Sequence, residues 1–363
     1  MYQYKKIAVK VGSNVITRSD GTLNVTRMSA LVDQLSELYK HGLSIVLISS
    51  GAVAAGRSEI KPDKKLDAVS ARQLYSAVGQ AKLINRYYEL FREHHITCGQ
   101  VLTMKENFSS RGHYLNQKHC MEVMLRNGVL PVVNENDTVA VTELMFTDND
   151  ELSGLIASMM DMDALVILSN VDGIYDGDPA CEGSRVIREI TDIRQEALSH
   201  IQAGRSQFGR GGMLTKCRFA QKAADEGIAV IIANGLRDNI LPEVLKKDSD
   251  AVCTRFTPSS KSVSNVKKWI AHSEGFAKGE IFINDGLREA LLQPKATSVL
   301  SVGVTRIEGD FEKDDIVKIM DSRGVQVGVG CAGYDSEEAR LRIGKRADKP
   351  LVHYDYLYLE FSY

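Results

Sequence analysis

Ile7-Ala8-Val9-Lys10-Val11-Gly12-Ser13-Asn14 reads as an apolar strand that carries one lysine and breaks at Gly12-Ser13-Asn14. Similar runs recur at Ile45-Val46-Leu47-Ile48, Val129-Leu130-Pro131-Val132-Val133, Leu165-Val166-Ile167-Leu168 and Val230-Ile231-Ile232. None alternates apolar with polar residues, which suits strands covered on both faces, as in parallel sheets. Between the runs, Met28, Leu31, Val32, Leu35 and Leu38 keep one helical face, and Leu74, Val78, Ala81 and Ile84 keep another. Strands alternating with helices predict an α/β fold, an open αβα sandwich with a mainly parallel sheet, over roughly the first two-thirds of the chain. Ligands of such sheets bind beyond the carboxyl ends of the strands.

The texture changes after about residue 255. Pro258, Ser259, Ser260, Ser262 and Ser264 read as a linker, and short strand candidates follow at Val299 to Val304, Ile316 to Ile319, Val325 to Val329 and Tyr356 to Leu359. Arg323-Gly324 reads as a hairpin turn. The expected division is 1–257 for the larger domain, 258–274 for a linker and 275–363 for a small β-rich domain.

The net charge of -2 gives no global pull toward nucleic acid or a membrane surface. No apolar run approaches the length of a membrane span, and MYQYKKIAVK does not read as a signal peptide. Six scattered cysteines without a CxxC suit reduced thiols in a cytoplasmic setting. The histidines show no HxxxH or HExxH spacing, so no transition-metal site is expected.

Three segments carry charge into the predicted strand ends. A lysine within a buried strand is costly unless something pairs with it, and the alternative for Lys10 is an edge strand open to water. Gly209-Arg210-Gly211-Gly212-Met213-Leu214-Thr215-Lys216 is a glycine-rich loop ending in a lysine where a helix begins. Its backbone N–H groups suit a phosphate, although it lacks the Lys-Ser/Thr pair of a Walker A motif. Asp148-Asn149-Asp150-Glu151 opens a helical pattern, and helix capping does not account for all three acids. Two lysines with an acid cluster suggest phosphoryl transfer, the lysines as clamps and a carboxylate as organiser. Ser49-Ser50-Gly51-Ala52 after one strand suits an anion, and Asp137 of Asn134-Glu135-Asn136-Asp137 after another suits an ammonium group. Plain turn chemistry is the alternative for both.

Together these segments, with Val78-Gly79-Gln80, resemble the glutamate 5-kinase family of the amino acid kinase superfamily. The C-terminal part resembles a PUA domain through Asp285-Gly286, Gly309-Asp310-Phe311, Gly324 and Tyr334-Asp335-Ser336. The resemblance implies ATP-dependent phosphorylation of the glutamate side-chain carboxylate, with Mg2+ accompanying ATP. It implies that Lys10 and Lys216 neutralise the phosphoryl group in flight and that Asp150 holds them. Ser50, Gly51, Asn134, Asp137, Asp148 and Asn149 would bind glutamate. Lys10, Ser169, Asn170 and the loop Arg210, Gly211, Gly212, Met213, Leu214, Thr215 and Lys216 would contact ATP. Proline inhibition, a homo-oligomer and a glutamyl phosphate reductase as pathway partner are implied likewise. Asn170 stands where the family usually has an acid, Arg210 where it has threonine or serine, and Thr147 replaces a customary glycine. The chemistry agrees: a carboxylate acceptor is already ionised at neutral pH and needs no general base. RNA binding is a rival reading for the PUA-like part. Acids there match the bases, but a local basic strip runs through Arg340, Arg342, Lys345, Arg346 and Lys349.

Overall fold

The structure, a computed structural model, describes residues 2–139, 146, 149–179, 181, 183–191, 213–260, 264–293, 295–346 and 348–359. The chain forms two compact units, Met1–Asn107 with Leu115–Ser262, and Phe108–Tyr114 with Val263–Tyr363.

In the first unit the unbroken apolar runs are strands, because helices cover the sheet on both faces. They are β1 (Lys6–Val11), β2 (Ser44–Ser49), β3 (Thr97–Thr103), β4 (Val129–Glu135), β5 (Ala164–Ser169), β6 (Glu189–Ile190), β7 (Ala229–Asn234) and β8 (Cys253–Phe256). The order is β3-β4-β2-β1-β5-β7-β8-β6, parallel throughout except for the β7–β8 pair. The expected αβα sandwich with a mainly parallel sheet is therefore present. Ile7, Val9, Val11, Ile45, Leu47, Val166 and Ile231 pack with Met28, Leu31 and Leu35 of the Val25–Lys40 helix in one core. Each such side chain, fully buried, contributes about 1.5–3 kcal/mol by leaving water.

Besides the two-residue β6, two strands escape a search for continuous apolar runs. β3 lies at the sheet edge, and its exposed and buried residues mix along Thr97-Cys98-Gly99-Gln100-Val101-Leu102-Thr103. β8 has Thr254 and Arg255 in its middle, and Arg255 donates to the Val244 carbonyl.

In the second unit, β9 (Gly279–Ile283), β10 (Val304–Gly309), β11 (Ile316–Met320), β12 (Gln326–Cys331) and β13 (Leu357–Leu359) form a sheet of order β10-β9-β11-β12-β13. The β9–β11 pair is parallel and the others are antiparallel. Arg323-Gly324 turns the β11–β12 hairpin, with Asp321 Oδ1 accepting the N–H groups of Arg323 and Val325. The strand expected at Val299 to Val304 is corrected. Val299 makes an isolated bridge to Val352, Ser301–Gly303 is a 3-10 turn, and the strand runs from Val304 to Gly309. Its exposed Thr305, Arg306 and Glu308 hide it in the sequence, as suits the edge position of β10. Within 258–274, Asn265–Ala271 is helical, capped by Ser264 Oγ. Trp269 Nε1 from this helix donates to the Phe108 carbonyl at 2.9 Å.

Among the described residues no helix is long and apolar enough to cross a membrane.

Candidate active site

The polar segments converge at the carboxyl ends of β1, β2, β4 and β5 and at the starts of two helices, Asn149–Met159 and Met213–Asp225. β1 is a central strand, and Lys10 lies in register between Ile48 of β2 and Ile167 of β5. The edge-strand alternative for Lys10 therefore fails. Its side chain is buried, only 8% exposed, and Nζ sits 2.7 Å from Asp150 Oδ1. The other carboxylate oxygen, Oδ2, accepts from Lys216 Nζ at 2.5 Å. Burial alone would raise the Asp150 carboxyl, but Lys10 and Lys216 hold it below the usual carboxylate range. Two lysines around one carboxylate leave a surplus positive charge, which an incoming phosphoryl group can neutralise.

Asn149, next to Asp150, ties the other strand ends together. Its Nδ2 donates to Ser50 Oγ at 2.8 Å, to the Ser49 carbonyl at 3.1 Å and to Asn134 Oδ1 at 3.4 Å. Asn134 donates in turn to Gln80 Oε1 at 2.9 Å. Gly51, with φ 95°, turns the chain from β2 into the Ala52–Glu59 helix, a conformation that favours glycine. Ser50, Asn134 and Asn149 are thus joined in one hydrogen-bonded polar cluster, with Gly51 next to Ser50 and Asp150 of the lysine pair next to Asn149.

Asp137 is buried too, with Arg72 as a partner. An Arg72 guanidinium nitrogen lies 2.6 Å from Asp137 Oδ1, and Arg72 Nη2 donates to Glu135 Oε2 at 2.9 Å. The remaining Glu135 oxygen accepts the Phe146 N–H at 2.9 Å. Burial, reinforced by the Asp137 charge, pushes the Glu135 carboxyl up to about 7, although Arg72 and the Phe146 N–H pull the other way. Burial likewise raises the Asp137 carboxyl against the pull of Arg72. Sequence reasoning missed Arg72, Glu135 and Gln80 as members of this cluster. A signal existed: Arg72, Ser76 and Gln80 follow i, i+4, i+8 spacing along the Ala68–Glu93 helix, so a polar stripe shares one face.

On the expected nucleotide side, Ser169 is the half-buried last residue of β5, in register with Asn234 of β7, and Asn170 is exposed. The acid here is Asp172, also missed. It accepts from Arg237 Nε and Nη2 at 2.6 and 2.7 Å and from Asn234 Nδ2 at 2.9 Å. Arg237's hydrogen bond holds the Asp172 carboxyl below its ordinary value. Met213 and Thr215 are half-buried in the first turn of the Met213–Asp225 helix, which delivers Lys216. For Leu214 only the backbone is described; Thr147, Asp148, Arg210, Gly211 and Gly212 lie outside the described residues. The described residues hold no group of three or more His, Cys, Asp or Glu able to cage a metal ion. In the PUA-like part, two members of the basic strip have acid partners: Arg340 binds Asp310, and Arg342 pairs with Glu338 while lying over the Tyr334 ring.

The amino acid kinase family pattern matches residues 5–234, and the PUA domain pattern matches residues 279–354. The chain is 68% identical over 358 residues to a glutamate 5-kinase of Bacteroides thetaiotaomicron, covering 99% of each chain. It is 45% identical to one of Chlorobaculum tepidum, covering 98% of each. Among solved structures, carbamate kinase from Giardia lamblia bound to AMP-PNP superposes with TM-score 0.51 at 16% identity. That match covers 71% of this chain and 100% of the other, and it supports the fold alone. Sheet order, clustered strand ends and these similarities agree: the chain belongs to the amino acid kinase family and carries a C-terminal PUA domain.

Proposed function

We propose that this chain transfers the γ-phosphoryl group of ATP to the side-chain carboxylate of L-glutamate, giving L-glutamyl 5-phosphate for proline biosynthesis. The observation that carries this reading is the Lys10–Asp150–Lys216 arrangement beside the Asn149 polar cluster. A carboxylate oxygen attacks the γ-phosphorus while the bond to ADP breaks. The nucleophile is already ionised, so the site needs no general base. Lys10 and Lys216 neutralise the charge that spreads over the moving phosphoryl oxygens, and Asp150 keeps both ammonium groups in place.

Ser50, Gly51, Asn134, Asp137, Asp148 and Asn149 bind glutamate in this proposal. Ser169, Asn170 and residues 210–216 bind ATP. A divalent metal accompanies ATP in kinases of this kind, and we assign it as magnesium entering with the nucleotide as part of the substrate. Proline as feedback inhibitor, a homo-oligomer, a glutamyl phosphate reductase acting next and a cytoplasmic site of action belong to the same proposal. So does the division into 1–257, 258–274 and 275–363, which keeps every proposed site residue in the first segment.

The test is product trapping. With ATP, magnesium and glutamate, hydroxylamine should capture an acyl hydroxamate. Aspartate and acetylglutamate, run in parallel, should yield little, and UMP should release little ADP. A preference for any of these over glutamate would refute the substrate assignment.

A further inference from the structure

The Glu135–Arg72–Asp137 cluster does more than pack. Two carboxylates are buried there, 3% and 6% exposed, and among the described residues Arg72 is the cation bonded to both. With both acids ionised such a group is one positive charge short; burial offsets this by holding a proton on Glu135, and a cation arriving beside Asp137 would displace that proton. Arg72 itself is the open member, its side chain 26% exposed. It spends its Nε–Nη2 edge on the acids, and Nη1 has no hydrogen bond among the described residues. Asn134, adjacent to Glu135 on β4, already belongs to the polar cluster proposed to bind the substrate. The cluster therefore offers a carboxylate that a cation can pair with and a guanidinium end with a donor to spare, one residue along β4 from Asn134. An α-amino acid presents the complementary pair, an ammonium and a carboxylate on one carbon.

We propose that Arg72 is a specificity-determining residue that binds the substrate's α-carboxylate while Asp137 binds its α-ammonium, with Glu135 holding Arg72 in position. This rests on the reading of glutamate as substrate. The side chain that accepts phosphate is then oriented by the far end of the molecule, whose two charges are both read. Removing a hydrogen bond to a charged group should cost about 10- to 100-fold in binding.

The experiment compares glutamate with two inhibitors of its phosphorylation: 4-aminobutanoate, which lacks the α-carboxylate, and pentanedioate, which lacks the ammonium. In Arg72→Met the glutamate KM and the pentanedioate inhibition constant should rise together, while the 4-aminobutanoate constant and the ATP KM stay put. Arg72→Lys should fall between. An equal loss for glutamate and 4-aminobutanoate, or a fall in kcat at unchanged glutamate KM, would overturn the proposal, because a merely structural arginine would not distinguish the ligands. Should Arg72→Met fail to fold, Arg72→Lys carries the same comparison, with the same ligand pattern required. Wild-type protein that traps no glutamyl hydroxamate refutes the substrate reading instead, and the Arg72 proposal falls with it; with a wild type that does trap it, the ligand pattern bears on Arg72 alone.

Discussion

Gly79 presses against Ala52: a Cβ on Gly79 would fall 1.8 Å from the Ala52 carbonyl oxygen. Gly56 mirrors this, its Cβ position lying 1.8 Å from the Tyr75 carbonyl oxygen. The Ala52–Glu59 and Ala68–Glu93 helices therefore meet backbone to backbone, and this closeness places Gln80 next to Asn134.

Gly79→Ala should accordingly destabilise the protein by about 1–3 kcal/mol or more through overpacking, outweighing the roughly 1 kcal/mol that alanine contributes in a helix. The urea midpoint reads this directly. A variant as stable as wild type would mean the helices do not meet as described.

Asp150 should matter more for stability than either lysine. Lys10→Ala leaves a buried Asp150–Lys216 pair, whereas Asp150→Ala leaves two buried ammonium groups facing each other. Removing the acid should cost about 3–5 kcal/mol, since an uncompensated buried charge is strongly destabilising. For activity the lysines lead: Lys10→Ala and Lys216→Ala should each lower kcat about a hundredfold or more. Denaturation curves and steady-state kinetics on all three variants test both orders. A Lys10→Ala protein with wild-type kcat would remove that lysine from the chemistry.

Asn149 acts through its amide donor, which reaches Ser50, Asn134 and the Ser49 carbonyl. Asn149→Asp replaces that donor with an acceptor among acceptors, so it should raise the glutamate KM more than Asn149→Ala does. The ATP KM should hold steady in both. A rise confined to ATP would contradict the placement of glutamate here.

Glu135 predicts a pH dependence of stability. Its carboxyl is pushed from an ordinary 4.5 to about 7, chiefly by burial and then by Asp137. Between those values the folded protein holds a proton that the unfolded chain has released. Stability therefore falls as pH rises through that window, by on the order of 3 kcal/mol if Glu135 acts alone. Asp137, also raised, adds in the same direction, and Arg72 opposes both. Glu135→Gln should flatten the difference between urea midpoints at pH 5 and pH 7.5. An unchanged slope would show that the buried carboxyl titrates normally.

How much of this was legible depends on the range of the interaction. The cores of β1, β2, β4, β5 and β7 were readable because a strand covered on both faces writes its burial into consecutive residues, as Val230-Ile231-Ile232 does. β3 and β10 were not, since an edge strand mixes polar with apolar residues and resembles a loop. The site divides in the same way. Lys10, Asp150 and Lys216 announced themselves as charges placed at a strand and at helix starts where charge needs a reason. Arg72 did not, because a helical arginine is ordinary until its partners are known, and those partners lie 63 and 65 residues further along the chain. Local patterning determined the α/β class and the polar segments at its strand ends. Only the tertiary structure decided that β4 ends against the Ala68–Glu93 helix, because strand order is set by which faces can be buried together, and no short stretch of sequence records that.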